Sequence, residues 1–143
     1  MVTVVLDTNI FLNVKNREGP YLEPSRRVLD AVDEGKLQAI VSAVSIAELC
    51  SGYYMAGDER GKQELITHLV SSKGYVVVDL DLKLADWAGR IRAETGLRLP
   101  DAIILASGLA GGASCIVTHD EEFKKGERYL EVVTSQGLME RLR

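Results

Sequence analysis

Short, wholly apolar runs alternate along the chain with longer stretches in which apolar residues recur three and four positions apart. The first kind reads as buried strand and the second as amphipathic helix. Residues 2–6 (VTVVL) predict a strand that ends on Asp7. Residues 8–14 predict a helix with Ile10, Phe11 and Val14 in one stripe, followed by a polar loop that Pro20 helps to end. A second helix is expected over 24–34, with Gly35 as its stop, and a second strand over 37–41. Helices over 42–54 and 58–71 precede a third strand at 75–78. Residues 81–94 give a helix whose inner face is Leu84, Trp87, Ala88 and Ile91, with Gly96 after it. Residues 99–110 are almost all apolar after Asp101 and read as a buried helix. A strand at 114–118, a short helix at 120–125, a strand at 129–133 and a helix at 135–142 complete the chain.

Strands alternate with helices, and no tight hairpin turn joins two strands. The expected fold class is therefore α/β, with helices on both faces of a mostly parallel sheet of about five strands. In such a sheet every strand ends on one edge, and the crossover helices begin there. Asp7 directly follows the first strand. Asp120 lies just beyond the fourth. Glu48 stands in the first two turns of the helix leaving the second strand, and Asp101 opens the helix that feeds the fourth. The alternation alone thus brings Asp7, Glu48, Asp101 and Asp120 to the same edge.

Each acid also has a plainer reading. Asp7 could cap the helix that follows it. Ser45 to Glu48 fits a capping box, and Thr118 to Glu121 fits another. Asp101 after Pro100 could complement a helix dipole. Against this, Glu48 and Asp101 have apolar neighbours expected to face the core, where an unpaired carboxylate costs several kcal/mol. No fixed cation near these acids in the sequence is expected to pair with them. Like unit charges about 4 Å apart repel by about 4 kcal/mol at an effective dielectric of 20, so the cluster requires a counter-ion. Oxygen ligands select a hard cation, Mg2+ or Mn2+, and no Cys/His spacing suggests zinc.

Composition sets bounds without deciding the chemistry. The 143 residues suggest one domain, 1–143, with 46% hydrophobic residues to fill its core. No apolar run reaches the roughly 18 residues of a membrane span, and no signal peptide is evident. Cys50 and Cys115 read as free thiols, which fits a cytoplasmic location. The net charge of −4 argues mildly against nucleic acid as a partner. Setting the four acids aside, however, leaves 17 basic and 17 acidic residues.

Several phosphate chemistries find no support. There is no G-x-x-x-x-G-K-[ST] loop, and the glycines between 108 and 112 follow a helix instead of a strand. No serine stands in a G-x-S-x-G elbow. A metal-assisted hydrolase is the class that remains. A receiver-like or nucleotide-binding module that holds Mg2+ without hydrolysis is one rival, though Val133-Thr134-Ser135 offers no lysine. A haloacid-dehalogenase-type phosphatase is another, though Asn9 stands where a second aspartate is needed.

Four segments in order, Asp7-Thr8-Asn9-Ile10-Phe11-Leu12, Ala47-Glu48-Leu49 with Gly52, Leu99-Pro100-Asp101-Ala102-Ile103-Ile104-Leu105-Ala106, and Val117-Thr118-His119-Asp120 with Phe123, resemble the PIN-domain ribonucleases. Within that family the chain is most similar to the VapC-type toxins of prokaryotic toxin–antitoxin pairs. The resemblance spans nearly the whole sequence. It implies a PIN-like three-layer α/β/α sandwich and a Mg2+- or Mn2+-dependent endoribonuclease acting on single-stranded RNA, with a cognate antitoxin protein and a homodimer. A housekeeping RNA-processing nuclease of the same family is the alternative. Asp7 and Asp101 would bind the metal directly, and Glu48 and Asp120 would act through water or position the attacking water. Thr8, Asn9 and Thr118 would orient these acids. The family usually has Asn at His119, which reads here as a structural or surface histidine; His68 reads as inert. Lys15, Arg17, Arg98 and Lys124 are candidate RNA contacts. Tyr53-Tyr54-Met55 reads either as core or as part of a protein-binding surface.

Overall fold

Alternation along the first strand divides the core in two. The computed structural model describes residues 1–143. In β1 (Val2–Leu6), Val4 and Leu6 face one apolar cluster and Val5 faces the other. All three are fully buried, as expected of a strand covered on both sides. β2 (Leu37–Ser42) repeats the arrangement, with Leu37, Ala39 and Val41 on the first face and Ile40 on the second.

The sheet is completed by β3 (Tyr75–Val78), β4 (Cys115–Val117) and β5 (Glu131–Val133). The five strands lie in the order β3-β2-β1-β4-β5, and every pairing is parallel. The chain therefore moves outward from β1 through β2 to β3, then returns across the sheet to β4 on the far side of β1. The β1–β4 boundary is the switch point at which open parallel sheets form their ligand crevice. A receiver has a different strand order, 2-1-3-4-5, so the receiver form of that rival does not fit.

On the first face lie α1 (Thr8–Lys15), α2 (Leu22–Asp33), α4 (Glu59–Ser71) and α7 (Ser135–Arg141). Ile10, Phe11, Val28, Val32, Leu69 and Leu138 fill that side. On the other face lie α5 (Leu82–Thr95) and α6 (Leu99–Ala110), which contribute Leu84, Ile91, Ile104 and Leu105. The helix α3 (Ala43–Met55) leaves β2 at the carboxyl edge. This is the expected three-layer α/β/α sandwich. A short 3-10 helix (Glu121–Gly126) follows β4 and inserts Phe123, fully buried, against the α5–α6 layer.

Every element begins and ends within two residues of its expected position, the two-residue differences being the start of α2 at Leu22 and of β5 at Glu131. Ser42, Asp58 and Asp81 fall just outside their helices because each is the N-cap, its side chain accepting a backbone N–H from the first turn. Gly108 and Gly111 do more than end a helix. A Cβ at Gly108 would meet Val5 Cγ1 at 2.5 Å, and one at Gly111 would meet Ile40 Cδ1 at 2.6 Å. These absent side chains let α6 lie directly on the central strands, which fixes where its first turn, carrying Asp101, projects.

Candidate metal centre

Asp7 occupies the N-cap position of α1 but does not serve as a side-chain cap. Its Oδ2 instead accepts a hydrogen bond from Thr118 Oγ1 at 2.7 Å, across the β1–β4 switch point. The carboxyl group is buried. Burial pushes its pKa up to about 6, with Asp101 and Asp120 adding to the rise and the Thr118 bond opposing it. Thr118 Oγ1 also accepts the backbone N–H of Asp120 at 2.9 Å. One hydroxyl thus fixes Asp7 and the start of the loop that carries Asp120.

Glu48 reaches the site from α3. Its Oε1 lies 2.6 Å from Thr8 Oγ1, and Ser45 Oγ lies 2.8 Å from the same hydroxyl. A carboxylate can only accept, so Thr8 donates to Glu48 and accepts from Ser45. The expected Ser45–Glu48 capping box is absent: Ser42 is the N-cap, and both residues turn toward Thr8. Glu48 is also exposed, not directed at the core, while Leu49 beside it is buried. The second expected capping box fails in the same way. Asp120 caps the 3-10 helix itself by accepting from Glu122 N, and Glu121 pairs with Lys124 on the surface.

Asp101 lies in the first turn of α6, buried as expected. It is not without a cation. Arg98, the N-cap residue, donates Nε to Asp101 Oδ2 at 3.2 Å and Nη2 to Oδ1 at 3.4 Å. The expectation that no nearby cation serves these acids is therefore corrected: the i, i+3 spacing at a helix start brings the guanidinium onto the carboxylate. Burial still raises the Asp101 pKa, with Asp120 and Glu48 adding to the rise and Arg98 opposing it.

Asp7, Asp101 and Asp120 thus act on one another at the carboxyl edge, and Glu48 acts on Asp101. They do not form a closed cage, for no three His, Cys, Asp or Glu side chains in the chain converge in metal-holding geometry. The residues nonetheless fit a hard divalent ion. Every donor is an oxygen, Asp7 and Glu48 are each held by a threonine hydroxyl, and Asn9 Oδ1, two residues after Asp7, is a buried acceptor without a partner.

The other residues singled out fall around this edge or away from it. His119 is structural. Its Nδ1 lies 2.9 Å from Asn13 Oδ1, its Nε2 lies 2.7 Å from Ser135 Oγ, and Tyr21 stacks on its ring at 4.4 Å. Asn13 Oδ1 also accepts from Ser25, and Asn13 Nδ2 donates to Glu18, which fixes the amide orientation. Nδ1 of His119 therefore carries a proton, and burial lowers the pKa toward the neutral ring. No periodic signal marks this network, which ties the loop after β4 to α1, α2 and α7. His68 is not isolated, since its Nε2 pairs with Asp33 at 2.9 Å.

Lys15 sits over the Tyr53 ring at 4.3 Å, and Lys124 pairs with Glu121. Tyr54 and Met55 are 54% and 86% exposed, so they are not core. Both cysteines are free, Cys115 buried and Cys50 half-buried. A groove of about 450 Å3 runs between α2 and α7 and is lined by none of the four acids. No helix is long and apolar enough to cross a membrane.

The chain belongs to the PIN-domain family, which matches residues 4–128. PIN domains are nucleases that generally use divalent metal ions. Compared with curated proteins, the sequence has no match. Solved structures share its fold. A toxin–antitoxin complex from Klebsiella pneumoniae superimposes with a TM-score of 0.71 at 22% identity, covering 92% of this chain and 97% of that one. VapBC2 from Rickettsia felis, bound to a DNA fragment from its promoter, gives 0.71 at 20% identity, covering 93% and 98%. PAE2754 from Pyrobaculum aerophilum gives 0.63 at 17% identity, covering 99% and 95%.

Proposed function

We propose that this chain is a Mg2+- or Mn2+-dependent endoribonuclease that cleaves single-stranded RNA, and that it is the toxin of a toxin–antitoxin pair. The observation that supports the nuclease reading is that Asp7 and Asp101, from separate segments, are both buried at the carboxyl edge and act electrostatically on each other, with Asp120 acting on both and Glu48 on Asp101. Asp7 and Asp101 are the direct ligands in this reading, with Glu48 and Asp120 acting through water. A bound divalent ion would polarise a phosphoryl oxygen and make a water molecule nucleophilic near neutral pH. Thr118 keeps Asp7 aimed at the crevice, and Thr8 does the same for Glu48. Glu48, which is exposed, would orient the attacking water in this reading.

The toxin reading rests on shape. The Klebsiella pneumoniae and Rickettsia felis neighbours are described as toxin–antitoxin assemblies and cover nearly the whole of this chain. A cognate antitoxin is the partner proposed here, together with a homodimer; the exposed Tyr54 and Met55 at the end of α3 are the apolar surface offered for such contacts. A housekeeping PIN nuclease would have the same site and no such partner.

The test is cleavage of a labelled single-stranded RNA by the purified chain. Activity is expected with Mg2+ or Mn2+, none in chelator, and none for Asp7→Asn or Asp101→Asn carrying the same fold. Full activity in chelator or in Asp7→Asn, with contaminating nuclease excluded, would overturn the proposal. Co-purification of a small protein encoded beside this chain would separate the toxin from the housekeeping alternative.

A further inference from the structure

Ten ion pairs are present, and Arg98–Asp101 is the one that includes any of the four acids. Its partners are unlike. The Asp101 side chain is 6% exposed and the Arg98 side chain 74% exposed. The carboxylate is fixed in the first turn of α6, while the guanidinium reaches in from solvent and engages both carboxylate oxygens. Glu48 and Asp120 also act electrostatically on Arg98, so its charge serves three of the four acids.

We propose that Arg98 is the site's own counter-ion: it holds Asp101 while no metal is bound, and it must leave that carboxylate for a divalent ion to bind. This inference rests on the metal-site reading above. A guanidinium and a divalent ion on the same two oxygens are like charges at contact distance, and the interaction of one excludes the other. Arg98 is the partner free to leave, because it is exposed and ends a flexible side chain, whereas Asp101 is buried in a helix. The consequence is competition. Arg98 relieves the repulsion that would otherwise spread the carboxylates, and in doing so it weakens the chain's affinity for metal. The divalent-ion concentration at which the protein loads is thus set partly by its own sequence, three residues upstream of a ligand.

The test is titration of the intact, metal-stripped chain with Mn2+, followed by calorimetry. Arg98→Gln should bind Mn2+ about three- to tenfold more tightly than the wild type, in keeping with an ion pair that has one buried partner. Arg98→Lys, which keeps the charge and loses the fork, should fall between them. Equal or weaker binding by Arg98→Gln, with unchanged circular dichroism, would overturn the inference and leave Arg98 a helix-end pair. Failure of the wild type to bind Mn2+ at all would overturn the metal-site reading as well. A measurement on the wild type needs no variant. The Arg98 Nε–H resonance should shift and exchange faster with solvent as Mg2+ is added, and a resonance unmoved at saturating Mg2+ would also overturn the inference.

Discussion

Thr118 Oγ1 donates to Asp7 Oδ2 at 2.7 Å, joining residues 111 positions apart. The bond closes the seam between β1 and β4, whose separate paths through the chain leave a crevice there. An acid at the end of the first strand is thereby held in place by the fourth.

The raised pKa of Asp7 has a definite sign. The group binds its proton more tightly in the folded chain, up to about 6, than in the unfolded one, near 3.8. Its contribution therefore favours the metal-free fold below about pH 4 and is lost as the pH rises through about 6. Asp7→Asn removes that dependence, and its carbonyl can still accept from Thr118. In metal-free buffer the variant should be more stable than the wild type near neutral pH, by about 2–3 kcal/mol at most. The two should converge near pH 4, as measured by denaturant unfolding across pH. A gap independent of pH would contradict this account.

Thr8 links Glu48 to Ser45. Thr8→Val keeps the shape and removes the hydroxyl. Stability should fall by about 1 kcal/mol, because the buried Ser45 loses its partner. Metal affinity or activity should fall further, about 10- to 100-fold, as when an orienting group behind a ligand is lost. Thermal melts and Mn2+-dependent cleavage rates separate the two effects.

His119 and Asn13 form one network, so their losses should overlap. Each alanine substitution should cost about 1–3 kcal/mol. The double variant should cost less than the sum, with a coupling of about 0.5–3 kcal/mol by denaturant unfolding. Strict additivity would mean that the 2.9 Å contact between them contributes nothing.

Two glycines give opposite expectations. Gly108→Ala drives a methyl into Val5 and should cost about 1–3 kcal/mol. Gly89→Ala, on the exposed side of α5 with open space around it, should stabilise by about 0.5–1 kcal/mol. Melting temperatures of the two variants, taken together, test whether α6 is seated on the sheet by the absence of a side chain.

The alternation of apolar runs was enough to read the three layers and the parallel sheet, since a strand buried on both faces leaves little other choice for VTVVL. It also placed Asp7, Glu48, Asp101 and Asp120 near element ends along one edge, but it did not foresee the exposure of Glu48 or that no three acids converge. Local pattern misled where a tertiary partner was stronger. Ser45 and Glu48 have capping-box spacing, but Thr8 arrives from another helix and takes both. Arg98 was legible in principle, because the i, i+3 spacing at a helix start places it over Asp101. The Asn13–His119–Ser135 chain has no sequence signature, being assembled through contacts between residues as far as 106 positions apart. The strand order likewise follows from packing that periodicity does not encode.

The most direct test of the central claim is the anomalous scattering of a Mn2+-soaked crystal. The account predicts a peak within about 2.0–2.4 Å of oxygens from both Asp7 and Asp101, with Arg98 turned away. No peak at the carboxyl edge under saturating Mn2+, with Arg98 still on Asp101, would contradict it.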